Sequence, residues 1–197
     1  RQLSQLRYDE LIANHFSRPC NVEPLRAIIQ DNNNDLKLDN IFQVLYDDSN
    51  KKFVAFSPCF RREAGSYGKD TKGAYRLHQF NKIEQLIITT ADMSNSLTLL
   101  EELLANSEEI LQDLKLPYRV LLMCTGDMGE PQVKKYDIET WMPSRGAYGE
   151  TMSDSFMGDF QARRLKIRYR TKDGKIQYCH TLNNTAVASP RILIPIL

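Results

Sequence analysis

The chain has 197 residues, 42% hydrophobic and 26% charged, with a net charge of +1. That is the composition of an ordinary folded domain with room for a substantial core, and it gives no reason to expect broad nucleic-acid binding. No apolar run approaches the roughly 20 residues needed to cross a bilayer, so no membrane partner is expected.

The opening Arg1-Gln-Leu-Ser has neither a signal-peptide apolar region nor a starting Met, and the chain stops inside the apolar run Ile192 to Leu197. Both ends therefore read as cut from a longer chain. Residues 1–50 are the least informative part. A helix is expected over Leu3 to Phe16, and a second one running through Leu25, Ile28 and Ile29, capped by Asn21-Val22-Glu23-Pro24. The Asp31–Asp35 run is a loop.

Ile41 to Tyr46, Phe53 to Phe56 and Ile83 to Thr89 are short and rich in β-branched or aromatic residues, and are expected to be strands. A polar, Gly-containing loop, Ala64 to Gly73, lies between the last two. Leu99, Leu100, Leu103, Leu104, Ile110, Leu111 and Leu114 then recur at helical spacing, with Ser94 or Ser96 as the N-cap. Further strands are expected at Tyr118 to Met123, Tyr136 to Met142, Leu165 to Arg170 and Ile176 to Leu182. The Lys172-Asp-Gly-Lys175 turn makes the last two an antiparallel hairpin. Consecutive strands with few helices predict an α+β fold, an antiparallel β-sheet flanked by helices.

Cys20, Cys59, Cys124 and Cys179 form no C-x2-C pair and sit in or near apolar segments, so buried reduced thiols are expected in a reducing compartment. Arg163, Arg164, Lys166, Arg168, Arg170 and Lys172 read as a solvated strand face, with a phosphate-contacting stripe as the alternative.

Three segments carry polar residues that packing does not explain. In Pro58-Cys-Phe-Arg61-Arg-Glu63-Ala-Gly65, Arg61 and Glu63 share parity along an extended chain; a salt bridge and a ligand clamp both fit. In Arg76-Leu-His78-Gln-Phe80-Asn-Lys82-Ile-Glu84, alternation puts Arg76, His78, Phe80, Lys82 and Glu84 on one face. An aromatic between Arg and Glu suits a stacked base with gripped phosphates, and a half-exposed edge strand fits as well. Thr181 to Ile194 reads as a strand end, a turn and an apolar helix, with Pro190 in the first helical turn and Arg191 either snorkelling to water or meeting a phosphate.

Together these strings resemble motifs 2 and 3 of class II aminoacyl-tRNA synthetases, and within them the seryl-tRNA synthetase family. Pro58-Cys-Phe-Arg-x-Glu-Ala-Gly, then Arg76-x-His-Gln-Phe-x-Lys-x-Glu84, resembles motif 2. Lys135-Tyr-Asp-Ile-Glu-x-Trp-Met-Pro, Glu150-x-x-Ser153 and Asp159-Phe-Gln-Ala-Arg-Arg164 resemble the stretch that follows, and His180-Thr-Leu-Asn183-x-Thr185 through Arg191 resembles motif 3. The resemblance covers roughly residues 53–197. It implies the class II catalytic fold over 51–197, with motif 1 and the tRNA-binding coiled-coil arm not in this chain.

By position, the resemblance implies that Arg61 grips the ATP α-phosphate and the serine carboxylate, and that Glu63 meets the adenine amino group. Phe80 would stack on adenine, with Arg76 and Arg191 on the terminal phosphates. Glu84, Asn183 and Thr185 would form the serine pocket, and Glu150 and Ser153 would hold Mg2+. The implied reaction is serine activation by ATP and transfer to tRNA(Ser), by a homodimer. The alternative is an inactive paralogue that partners a true synthetase. The Trp141–Glu150 and Ala188–Arg191 stretches look closest to animal mitochondrial members, which implies the mitochondrial matrix, with the cytoplasm as the alternative. Two departures stand out. Phe156 replaces an Asn expected to help shape the site, and the loop that receives the serine amino group is not recognisable.

Overall fold

The computed structural model describes residues 50–61 and 73–197. The helices expected within residues 3–29, the strand Ile41 to Tyr46, Cys20, Glu63 and nearly all of the Ala64–Gly73 loop lie outside the described residues.

A six-stranded sheet, antiparallel throughout, forms the framework in the order β1-β2-β8-β5-β4-β3. Its strands are β1 (Lys51–Phe60), β2 (Gln79–Thr89), β3 (Tyr118–Leu122), β4 (Lys134–Met142), β5 (Ala147–Phe156) and β8 (His180–Ala188). A separate two-stranded hairpin pairs β6 (Arg168–Arg170) with β7 (Ile176–Tyr178) across the expected Lys172–Lys175 turn. The expected α+β fold is what the chain adopts. Among the described residues no helix is long and apolar enough to cross a membrane.

Helix α1 (Met93–Asp113) covers one face of the sheet. Leu99, Leu100 and Leu103 pack against Ile87 of β2, Leu182 of β8 and Phe156 of β5. The stripe the sequence shows is therefore the core stripe. Its cap differs from expectation: Asp92, in extended conformation, accepts a hydrogen bond from the Asn95 amide at 3.0 Å, while Ser96 is buried inside the first turn. The helix begins before its apolar stripe because its first residues have nothing to bury. Ser96 gives its proton to the Asp92 carbonyl (2.7 Å), so its oxygen can accept the Nδ1–H of His180 at 2.9 Å. At the other end Lys115 takes a left-handed conformation (φ 55°). Its amide bonds Gln112 O and that of Leu116 bonds Leu111 O, which satisfies the last carbonyls.

The helix-covered face also buries a polar row. Gln85 Nε2 and Ser107 Oγ both donate to Asn184 Oδ1, at 2.9 and 2.8 Å, and Asn106 Nδ2 closes onto Gln85 Oε1 at 2.8 Å. Asp154 pairs in register with Asn184 and is fully buried, yet among the described residues neither carboxyl oxygen has a hydrogen-bond partner. Burial pushes this carboxyl up to about 8; the neighbouring Asn184 amide offsets part of that, and the Glu101 and Glu84 charges add to it.

Three expectations change here. Leu165 does not open a strand: it ends helix α2 (Phe160–Leu165), which Lys166 closes at φ 56°. The Ile176–Leu182 run is not one strand, because Cys179 is buried where the chain leaves the hairpin for the main sheet. The turn expected after Thr181 is absent; β8 runs on to Ala188 and passes directly into helix α3 (Ser189–Ile196), with Pro190 in its first turn as expected. Cys124, expected to be buried, is exposed, whereas Cys179 is buried and its thiol is pushed up to about 11.

Candidate active site

Because side chains alternate across a sheet, the residues between those facing α1 emerge on the opposite face. In β2, Ile83, Gln85, Ile87 and Thr89 are buried while Phe80, Lys82 and Glu84 are half-buried on the other side. A cleft of about 350 Å3 opens there. Arg61, Arg76, Phe80 and Glu84 line it from β1, β2 and the loop before β2, Glu150 and Ser153 from β5, and Asn183, Thr185 and Arg191 from β8 and α3. Every site residue named from the sequence that lies among the described residues thus reaches one cleft; Glu63 lies outside them.

At one end, Arg61 follows directly on β1. Its amide donates to His78 O at 2.8 Å and its carbonyl lies 3.1 Å from His78 Nδ1, which ties the loop before β2 to the strand end. Arg76 and His78 precede the strand rather than belonging to it, contrary to the expected continuous face, because pairing starts only at Gln79. The Arg61 guanidinium stands 5.6 Å from the Phe80 ring centroid, so a cation and an aromatic face are presented together.

At the other end Glu84 is held by three donors. Asn183 Nδ2 donates to Oε1 at 3.0 Å, Thr185 Oγ1 to Oε2 at 3.0 Å, and Lys82 Nζ lies 2.8 Å from Oε2. The β2–β8 register brings them together: Glu84 faces Thr185 across a bulge that displaces one residue of the pairing. The result is a fixed, half-buried carboxylate opening into the cleft.

The remaining wall is built around Arg191. Its Nη1 donates to the carbonyl and to Oε2 of Glu150, both at 3.1 Å, and its Nε to Tyr75 O at 3.3 Å. The Tyr75 ring lies between two guanidiniums, Arg191 at 4.4 Å and Arg145 at 4.2 Å, and its hydroxyl donates to Glu150 O at 3.1 Å. Arg191 therefore points into the cleft rather than snorkelling to water.

Tyr75, Lys82 and Gln132 line the cleft without having been assigned a role from the sequence. Lys82 shares the parity of Glu84, which placed it on the polar face without a role of its own. Tyr75 and Gln132 sit in loops, where no periodicity points to them. Gln132 orients Ser155 of β5 by donating to its hydroxyl at 2.9 Å. Asp137 of β4, opposite Ser153 in register, is buried beside Lys135 at 2.9 Å. Burial raises its carboxyl above the ordinary range; Lys135 opposes this, and Glu150 and Glu139 reinforce it. Phe156, expected to alter the site, is on the α1 side within the core and 5.2 Å from the His180 ring, so it does not line the cleft.

Among the described residues no three His, Cys, Asp or Glu gather as a complete metal site. Glu150 and Ser153 instead offer one carboxylate and one hydroxyl. That donor set fits a hard cation that draws its other oxygens from water and a phosphate-bearing ligand.

The tRNA synthetase class II core domain (G, H, P, S and T) family model matches residues 41–197. A serine–tRNA ligase from Deinococcus radiodurans is 54% identical over 155 residues, 79% of this chain and 36% of the relative. Two solved structures share the fold. Seryl-tRNA synthetase from Pyrococcus horikoshii complexed with ATP has a TM-score of 0.73 at 48% identity, covering 79% of this chain and 35% of that one. Cytoplasmic serine–tRNA ligase from Naegleria fowleri in complex with AMP has a TM-score of 0.72 at 37% identity, covering 81% and 38%. The chain spans about a third of the length of the relatives it matches.

Proposed function

This chain belongs to the class II tRNA synthetase core-domain family, and from that premise we propose that it activates serine with ATP and transfers it to tRNA(Ser). One observation carries the reading: a single cleft joins a guanidinium-and-aromatic end to a carboxylate locked by Asn183, Thr185 and Lys82. The first end suits a nucleotide, with the base on Phe80 and phosphates on Arg61, Arg76 and Arg191. The second suits a small hydroxylated substrate, whose O–H donates to Glu84. ATP and AMP are bound in the related structures named above, which supports assigning the nucleotide to this cleft.

In this reading a serine carboxylate oxygen bonds to the α-phosphorus and the bond to pyrophosphate breaks, giving seryl-adenylate. Arg61 touches the phosphate where charge develops and holds the carboxylate in line; Arg76 and Arg191 hold the leaving pyrophosphate. A terminal ribose hydroxyl of the tRNA then attacks the seryl carbonyl and AMP departs. Glu150 and Ser153 would hold Mg2+, which supplies charge neutralisation at the phosphates. Glu150 already engages Arg191, so that carboxylate is oriented before any ligand arrives.

Retention of the whole described set supports an active enzyme over an inactive paralogue. A mitochondrial matrix location rests on the likeness of Trp141–Glu150 to animal mitochondrial members. The cytoplasmic alternative has in its favour that one solved relative is described as cytoplasmic. A homodimer is proposed from family membership alone.

The test is serine-dependent ATP–pyrophosphate exchange by the native protein with Mg2+, with Arg61→Ala as control. Exchange that vanishes in the control is expected; a folded protein with no exchange would overturn the reading.

A further inference from the structure

The segment Asp159 to Lys175 carries seven Lys and Arg against two Asp, a net +5 within a chain whose total is +1, so the remainder of the chain carries −4. This segment is α2, β6 and the turn that leads into β7, outside the six-stranded sheet. Its inner side is anchored by Tyr169, buried with Ala162 and Cys179. Alternation on β6 therefore sends Arg168 and Arg170 outward, and all seven cations are exposed.

The two acids neutralise little of this charge. Asp159 holds Arg163 at 2.6 Å and Asp173 holds Lys175 at 2.9 Å. Arg163 and Arg164 rest over the rings of Tyr178 and Phe160, at 5.0 and 4.4 Å, and remain exposed. Lys166 and Arg168 have no ion pair or hydrogen-bond partner among the described side chains. A surface needed only for solubility mixes signs, whereas crowding one sign costs self-repulsion that a bound polyanion relieves.

We propose that this hairpin is a phosphate-backbone contact for the tRNA, independent of base sequence, used while the 3′ end occupies the cleft. The inference rests on the ligase reading. The placement suits it, because β8 starts beside the hairpin at His180 and reaches the Glu84 pocket at Thr185, five residues or roughly 17 Å along the strand. Outward cations on β6 stand two residues apart, roughly 7 Å, a spacing able to follow a run of phosphates.

The experiment compares the native protein with Lys166→Gln/Arg168→Gln and with the reversal Lys166→Glu/Arg168→Glu. It measures pyrophosphate exchange, aminoacylation KM for a serine-accepting tRNA transcript, and tRNA binding by anisotropy across a salt series. Exchange is expected to stay within twofold of the native protein. The tRNA KM should rise about threefold for the Gln pair and tenfold or more for the reversal, and the slope of log K against log salt should flatten by roughly one to two. Unchanged tRNA KM and salt slope in variants that still exchange would overturn the proposal. So would hairpin-dependent binding to phosphatidylserine vesicles with tRNA binding untouched. Loss of exchange in the native protein would instead sink the ligase reading, and the anisotropy series would still judge the RNA surface.

Discussion

The Arg191 guanidinium lies 4.4 Å from the centroid of the Tyr75 ring, and its Nε donates to the carbonyl of that same residue, 116 positions away in the chain. Tyr75 also donates to the Glu150 carbonyl that Arg191 contacts, so ring, guanidinium and strand β5 form one unit. Under the proposed function Arg191 is thereby aimed before substrate arrives, which makes Tyr75 a positioning residue. A cation–π contact contributes about 0.5–2 kcal/mol. Tyr75→Ala is expected to raise the ATP KM by about tenfold while the serine KM changes little. Tyr75→Phe, which keeps the stack and loses the hydroxyl, should recover most of this. Equal rises in both KM values in steady-state exchange kinetics would point to a general loss of structure instead.

Glu84 should set serine apart from alanine. A site whose buried polar groups pair with a substrate hydroxyl rejects the analogue lacking it, because those groups are left unpaired. Glu84→Gln is expected to lower kcat/KM for serine by about 10- to 100-fold, the loss of a charged hydrogen bond worth about 1.5–3 kcal/mol. Exchange with alanine should change far less. Selectivity that survives the substitution would move recognition of the hydroxyl elsewhere.

Gly149 leaves space for Met142 and for the Tyr75 ring of the Arg191 unit. A Cβ there would stand 3.0 Å from Met142 Sδ and 3.1 Å from Tyr75 Cε2. Met142 is fully buried and Tyr75 is held between two guanidiniums, so neither yields freely. Gly149→Ala is expected to destabilise the fold by about 1–3 kcal/mol, as overpacking does, and to raise the ATP KM as Tyr75→Ala does. Denaturant unfolding beside exchange kinetics measures both.

Asp154 predicts how stability depends on pH. Its folded carboxyl titrates at about 8, far above the ordinary value of 3.8. Between those values the unfolded chain has released the proton and the folded chain keeps it, so stability falls as pH rises from about 4 to about 8 and levels off above. Asp154→Asn keeps the shape without the titration. It should flatten this dependence and raise the melting temperature most near pH 8–9, with little gain near pH 4. Parallel melting curves for the native and Asn proteins that never diverge with pH would show that the carboxyl is not the source.

Much of the fold was legible because periodicity reports burial. The Leu99–Leu114 stripe and the β6–β7 turn were local signals and emerged where expected. β5 was not legible as a strand. It is central and mostly buried, but its register with β4 shifts between Glu150 and Met152, and beyond that point Ser153 and Ser155 line the cleft while Asp154 and Phe156 lie on the helix side, so no apolar pattern marks it. The same alternation corrects the expectation for Phe156. A change that looked like damage to the site lies on the core side of the sheet, one residue out of phase with Ser153 and Ser155.

The sequence by itself determined which residue types the chain carries at motif spacing, and from those strings the family and the identity of Arg61, Phe80, Glu84, Asn183, Thr185 and Arg191 could be read. The tertiary structure decided what they touch. Strand order places β8 between β2 and β5, so Glu84 meets Asn183 and Thr185 from 99 and 101 residues away, and Arg191 meets Glu150 and Tyr75. Those contacts depend on register, a bulge and the direct passage of β8 into α3. None of these leaves a local pattern in the chain, because cross-strand pairing is fixed by burial summed over the whole sheet.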